Sequence, residues 1–270
     1  MIDNYKEHYK ECIKQSNIIA PIKTDINWVY DVKTVHNFIE QNDEYQNLIK
    51  KISNKMKNKF DNNIDCVNIG SKFVTYLNNW NDIPEVFQLG ELIKPQIENK
   101  VFLCNTKVEF LLPYRNEITD KSITASWLWH YDDCPAESLK LIIYLNDTDE
   151  RNGCFQYLSI KEEPLSFKSS KISPTKQGRQ VIAGSRLPSN LLEKAMQNGG
   201  KINSFIGERG SNILFSPNVI HRATVPEKGT SPRYVLNFII RPSLRKYKKY
   251  INESTHSILP KRNVKVYELD

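Results

Sequence analysis

Four side chains, far apart along the chain, could do chemistry together. Two of them, His130 and Asp132, stand in Ser126–Cys134, SWLWHYDDC. Alternate side chains of an extended segment share a face, so this imidazole and this carboxylate project together. Such a pair binds a metal ion or finds a structural partner. The third, His221, closes the run Gly210–His221, GSNILFSPNVIH, which reads as a strand, a turn and a second short strand. The fourth, Arg233, follows the turn residues Pro226–Gly229, PEKG, which His221 and Arg233 flank almost symmetrically. That spacing predicts a hairpin in which His221 and Arg233 are near-partners and face the same side.

Two imidazoles and one carboxylate can occupy one face of an octahedral ion. They leave three adjacent positions open, the donor set of non-haem Fe(II) oxygenases. Two openings suit a chelating 2-oxo acid, and the third suits O2. The far carboxylate of that acid, enclosed in a barrel, needs a partner, and a planar guanidinium supplies one in bidentate fashion. The expected catalytic residues and iron ligands are therefore His130, Asp132 and His221, with Arg233 on the 2-oxo acid. An aspartate at 132, rather than a small residue, argues against halogenation, because a halide would need that coordination position. Each residue also has an ordinary reading when taken singly. His130 could stack among Trp127, Trp129 and Tyr131; Asp132 or Asp133 could cap the turn before Pro135; His221 could be a turn residue and Arg233 a strand-edge cation. The tryptophans read as core rather than as a substrate platform.

The elements that must position these groups change in character near residue 100. Before it, Leu48, Ile49, Ile52, Met56 and Phe60 recur at helical spacing, with Asp43 as the expected cap and Gln46 as its partner. Lys50, Lys51, Lys55 and Lys57 fall on the opposite face. A second helix is expected after Asp82, with Pro84 in its first turn and a disturbance near Pro95. After residue 100 come short apolar segments bounded by Gly, Pro, Asn or Asp, among them KVFLCN, KVEFLL, ITASWLWHY, LKLIIYLND, CFQYLSI and RYVLNFIIRP. This is strand-and-turn punctuation. The expected fold is mainly β with α, a double-stranded β-helix (jelly roll, cupin-like) buttressed by N-terminal helices. We read residues 1–270 as one domain: 1–100 mostly helical support, 101–242 the jelly-roll core, 243–270 a basic extension. Within the core, residues 161–203 form a polar insert, either a lid or a tolerated surface loop, with a short helix at Leu191–Gln197. Its cations Lys168, Lys171, Lys176, Arg179 and Arg186 could meet a carboxylate or phosphate, but a solvated basic loop is the simpler reading.

At this point the chain resembles the Fe(II)/2-oxoglutarate-dependent oxygenases, and within them the phytanoyl-CoA dioxygenase-like branch. The resemblance spans about residues 100 to 242. It rests on WHYDD, on LKLIIYLNDTDERNGCFQYL and on GERGSNILFSPNVIHRATVPEKGTSPRYVLNFIIRPS. It implies Fe(II) as cofactor and 2-oxoglutarate and O2 as cosubstrates, with His130, Asp132, His221 and Arg233 in the roles given above. The acidic turn ending in Asn152-Gly153 is similar to the family's. Two departures stand out. After Asn152-Gly153-Cys154 the chain continues FQYLSIKEEPLS where the family often has Pro-Gly-Ser-His. Ala223 stands where a small hydroxyl residue often helps to hold the 2-oxo acid. Asn237, with the strand parity of Arg233, and Tyr144, on the strand after the His-x-Asp motif, are the candidates for that missing hydrogen bond. These departures bear on the branch's acyl-CoA substrate, not on the iron site.

Composition bounds the partners. The 270 residues are 39% hydrophobic and 26% charged, with a formal net charge of +7. Much of that charge lies in lysine–asparagine stretches such as KKISNKMKNK, a compositional bias that requires no nucleic-acid partner. No apolar run is long enough for a membrane span, and the charged start MIDNYKEHYKEC has no signal segment. Five scattered cysteines without a CxxC pair imply neither a disulfide framework nor a zinc site, so a cytoplasmic setting is expected. The expected activity is oxidation of an unactivated C–H bond of a small-molecule substrate, anionic or not, with release of succinate and CO2. Oligomeric state is open. Two alternatives stay open as well: an oxygenase of the same superfamily acting on protein or nucleic acid, and a non-catalytic jelly-roll binding module.

Overall fold

In a computed structural model, which describes residues 34–68, 74–77, 80, 82–99, 106–116, 125–132, 139–165, 186–187, 189–217 and 219–242, the helical period of the first third becomes two helices lying on a sheet. The first, α1 (Asp43–Asp61), buries Tyr45, Leu48, Ile49, Ile52, Met56 and Phe60 on one face and leaves Lys50, Lys51, Lys55 and Lys57 exposed. Its cap is Asn42 rather than Asp43. The backbone of Asn42 is still extended, and its side-chain oxygen accepts from the Tyr45 amide at 2.9 Å. The second, α2 (Pro84–Ile97), begins on Pro84, where a missing amide costs no helical bond. Pro95 lies inside α2 without ending it. The bond it removes falls in the last turn, and the Glu98 amide bonds back to the carbonyls of Lys94 and Pro95.

The first third also contributes three strands, β1 (Val35–His36), β2 (Cys66–Asn68) and β3 (Val74–Leu77), so it is less purely helical than its period suggests. Beyond it run β4 (Thr106–Asn116), β5 (Leu139–Tyr144), β6 (Phe155–Ile160) and β7 (Glu163–Pro164). The helix α3 (Ser189–Gln197) then precedes β8 (Gly200–Phe205), β9 (Asn212–Phe215), β10 (His221–Ala223) and β11 (Tyr234–Pro242). All strand pairings among the described residues are antiparallel. One sheet has the order β1-β9-β5-β11-β4-β3-β2; the other has β10-β6-β7, with β8 also on β6. The chain alternates between them, with β5, β9 and β11 in the larger sheet and β6 and β10 in the smaller. This is the expected double-stranded β-helix, mainly β with α.

Strand parity sorts the larger sheet into two faces. Leu139, Leu141 and Ile143 of β5 join Leu236, Phe238 and Ile240 of β11 in the core beneath α1 and α2. Ile142 and Tyr144, with Val235, Ile213 and Phe215, meet Phe155 and Phe205 of the smaller sheet in a second core. Burial on both faces is why LKLIIYL reads as one apolar run. Lys140, the second residue of that run, has inner-face parity. The outer side of the smaller sheet is covered by α3, where Ala195 packs with Trp129, Leu158, Leu165 and Ile220.

Two expectations are corrected here. The segment ITASWLWHY is not a regular strand in its described part. A single 3-10 turn, Ala125–Trp127, buries Trp127 against Val74 and Ala223, and an extended stretch follows to His130. Nor are His221 and Arg233 hairpin partners. β10 pairs with β6, whereas β11 pairs with β4 and β5. The intervening residues cross from one sheet to the other, tied to the β5–β6 turn by Thr224 N to Cys154 O at 2.8 Å and Glu227 N to Arg151 O at 2.6 Å. The readings for residues 1–33, the KVFLCN segment over 100–105, Asp133, most of the insert (166–185) and the extension 243–270 lie outside the described residues. Among the described residues no helix is long and apolar enough to cross a membrane.

Candidate metal centre

Backbone pairing brings two of the expected ligands together. His130 and His221 exchange both backbone hydrogen bonds, N to O at 3.0 and 2.8 Å, so their side chains leave the same face. Their rings lie 4.4 Å apart between centroids. Asp132 is held one step further by its amide, which donates to Pro217 O at 2.9 Å. One ligand atom from each of the three lies within 4.8 Å of the others. His130 Nε2 is 3.8 Å from Asp132 Oδ1, and His221 Nε2 is 3.5 Å from Oδ2.

The tautomers follow from two short contacts. His130 Nδ1 is 2.7 Å from the Leu128 carbonyl, and His221 Nδ1 is 2.7 Å from the Val219 carbonyl. A carbonyl only accepts, so each Nδ1 carries the proton and each Nε2 keeps its lone pair for a metal. Electrostatics agree. Burial, reinforced by His221, lowers the His130 pKa to about 3 against the opposing pull of Asp132. Burial likewise lowers that of His221, which stacks on Phe155 and meets Phe215 edge-on. For Asp132, burial alone would raise the pKa, but the Lys140 ammonium and then the two imidazoles outweigh it and hold the carboxyl well below its ordinary range. The site therefore presents two neutral imidazoles and one carboxylate near neutral pH. That donor set suits a divalent transition ion with mixed nitrogen and oxygen ligands.

Arg233 lies on the inner face of the larger sheet and is 2% exposed. Asn116, at the end of β4, turns its amide oxygen to the guanidinium and accepts from Nη2 at 2.9 Å and Nε at 3.3 Å. Nη1 is buried and has no partner among the described residues. The rings of Tyr114 and Tyr144 lie 6.0 and 5.8 Å from the guanidinium carbon. An unpaired guanidinium nitrogen in an apolar interior is a ready seat for a ligand carboxylate. The Asn152-Gly153 turn contributes indirectly. Gly153 has φ +99°, and a Cβ there would stand 3.1 Å from the Asn116 amide, so glycine lets this turn close against the group that orients Arg233.

The two candidates for the missing hydrogen bond fare differently. Tyr144 lies beside Arg233, but its hydroxyl donates to Phe205 O at 2.9 Å and accepts from Phe155 N at 2.9 Å. Its proton is committed, and burial pushes its pKa up. Asn237 has inner-face parity, and its Oδ1 is buried without a partner among the described residues. Ala223 is buried against Trp127 and Val74, so position 223 offers no polar group.

Three further residues join the site. Asn116 carries no local signal in PYRNE. Lys140 was visible as a lone cation in an apolar strand with inner parity; its Nζ lies 2.6 Å from Asp132 Oδ2. Arg186, which composition assigns to a solvated loop, instead forms an antiparallel bridge with His130 and is partly buried.

No protein-family model matches the chain, and no curated protein does. Solved structures do match. EctD from S. alaskensis in its apoform aligns with a TM-score of 0.50 at 14% identity, covering 83% of this chain and 81% of its own. EctD from S. alaskensis with 2-oxoglutarate and 5-hydroxyectoine aligns with a TM-score of 0.50 at 15% identity, covering 92% and 87%. At that identity the likeness is one of fold.

Proposed function

We propose that this chain is an Fe(II)- and 2-oxoglutarate-dependent dioxygenase that hydroxylates an unactivated C–H bond of a small molecule, with release of succinate and CO2. The observation that carries the reading is the convergence of two Nδ1-protonated histidines on Asp132, on the inner surface that also holds the unpaired Nη1 of Arg233. The motifs WHYDD and NGC support a place in the phytanoyl-CoA dioxygenase-like branch. A structure of similar fold, EctD, holds 2-oxoglutarate, which accords with the reading.

In this reading His130, His221 and Asp132 hold the iron, and Leu128 and Val219 keep both imidazoles in the ligating tautomer. Lys140 keeps Asp132 ionised and fixes its Oδ2. Arg233 takes the far carboxylate of 2-oxoglutarate on Nη1, while Asn116 holds the guanidinium plane. Asn237, with the strand parity of Arg233, is the candidate on β11 for a second polar contact. Iron and the 2-oxo acid, when bound, would supply the oxidising chemistry. Phe155 and Phe215, packed on His221, exclude water from one side of the site.

The test is a two-stage titration. Under argon, 2-oxoglutarate should bind only after Mn(II) has been added. In air with Fe(II), succinate should form slowly without added substrate. Asp132→Ala, checked for folding by circular dichroism, should lose both responses. A wild-type rate of succinate formation in that variant would end the assignment, and a chain indifferent to metal would be a binding module.

A further inference from the structure

Arg233 is not the only guanidinium left short of a partner. Arg186 Nη1 is also buried, with no hydrogen-bond partner among the described residues. Its direction follows from strand pairing. Residue 186 bridges His130 in antiparallel fashion, and residues opposed in such a pair project to the same side. The next residue confirms the parity: the Leu187 amide donates to Trp129 O at 2.9 Å, and Leu187 packs with Trp129 in the cluster under α3. Leu187 faces out, so Arg186 faces in, beside His130.

The two arginines reach the interior from opposite sheets. Arg233 immediately precedes β11 of the larger sheet, its carbonyl accepting from the Asn116 amide, whereas Arg186 extends the smaller sheet, with His130 between it and His221. The charge of Arg186 bears on all three ligands, lowering the affinity of both histidines for protons and lying in the field of Asp132. In the loaded site, however, the anions are already assigned. Asp132 serves the metal and Lys140. Of the two carboxylates of 2-oxoglutarate, one would belong to the metal site and the other would pair with Arg233. Arg186 then remains a cation in a partly dehydrated site with no further anion among the described residues to neutralise it, an arrangement that a bound anion would relieve.

We propose that Arg186 is the residue that selects the primary substrate, and that the substrate is a small molecule bearing a carboxylate or a phosphate that seats on Arg186 Nη1. This inference rests on the oxygenase reading above. Arg186 acts in it as a binding and specificity residue: it fixes one charged end of the substrate so that a C–H bond elsewhere in that molecule faces the open coordination positions.

The test uses the full chain under argon, loaded with Mn(II) and then saturated with 2-oxoglutarate. Small carboxylates and phosphate monoesters, each matched with its uncharged amide or ester, are titrated in. N-acetylglycine against N-acetylglycinamide and phenyl phosphate against phenol are representative pairs, read by calorimetry or tryptophan fluorescence. At least one anion should bind roughly 30-fold more tightly than its uncharged counterpart, the size expected for a buried charge pair. Arg186→Gln should abolish that preference, and Arg186→Lys should keep most of it. The class of anion that binds separates carboxylate from phosphate recognition. Three results overturn the inference: no anion binds the loaded chain, the uncharged counterparts bind as well as the anions, or Arg186→Gln keeps the preference. Failure of 2-oxoglutarate to bind in the first stage is a different result, because it removes the oxygenase reading and this inference with it.

Discussion

On the helix-covered face of the larger sheet, Leu141, Ile143, Leu236 and Phe238 pack against α1 and α2 with no charged side chain among them. Polar side chains that enter from α1 and β9 are paired there. Asn212 accepts from the Ile39 amide at 2.9 Å and donates to its carbonyl at 3.1 Å, the Tyr45 hydroxyl donates to Gly210 O at 2.7 Å, and Ser53 donates to Leu145 O at 2.6 Å. One residue along the same strands the character reverses. Lys140, Asn237 and Arg233 face inward toward His130, Asp132 and His221, and Asn237 Oδ1 and Arg233 Nη1 have no partner among the described residues. A face built for stability satisfies itself. A face built to receive a ligand keeps donors and charges that only the ligand completes. The period of two lets one strand serve both.

The sharpest way to break the contrast is at Arg233. Arg233→Gln should weaken 2-oxoglutarate binding by about 2–5 kcal/mol, tens-fold or more, because a buried charge pair loses one member. Mn(II) affinity should be unchanged, and ligand-free stability should hold or rise, since an unpaired buried cation is gone. Calorimetry and urea melts read both, and a large loss of stability would mark Arg233 as structural. The mirror experiment is Leu236→Ala on the outer face. It should cost about 2–5 kcal/mol of stability and leave the 2-oxoglutarate affinity of the folded chain alone. If the affinity falls in step with stability, the two faces are not independent.

Protons probe the contrast more gently. Both histidines have pKa values lowered by folding, His130 to about 3, against an unfolded value of 6.5. Below 6.5 the unfolded chain therefore binds protons that the folded chain does not. Their stabilising contribution is complete above that pH and falls as pH drops below it, for His130 by on the order of 1 kcal/mol per unit down to about 3. The lowered Asp132 carboxyl adds a further loss beneath its unfolded value near 3.8. The urea midpoint of metal-free protein should thus decline from pH 7 to pH 5. A flat profile would mean that the imidazoles are solvated. The smallest effect is expected at Gly153. Gly153→Ala forces a Cβ into a left-handed backbone beside Asn116, a penalty of about 1–2 kcal/mol. It should also loosen 2-oxoglutarate through Arg233, and an effect on stability alone would separate the turn from the site.

How much of this was legible depends on the range of the interactions involved. The buried stripe of α1, the apolar double-sided strands and the shared face of His130 and Asp132 all follow from periods of 3.6 and 2, which operate within a few residues. Those periods, with the residue types of His221 and Arg233, were enough to nominate the site and the fold class. The hairpin drawn between His221 and Arg233 failed because a turn such as PEKG is compatible with either a hairpin or a crossing between sheets. Only the burial of β10 against β6 and of β11 between β4 and β5 chooses. Asn116 and Lys140 carry no role in the sequence reading, and Arg186 reads first as part of a solvated loop, for the same reason. Their function comes from what stands opposite them, across sheets that the chain reaches from distant positions. Local sequence determined which groups could share a face; long-range strand pairing decided which faces meet, because that choice minimises exposed apolar surface over the whole chain.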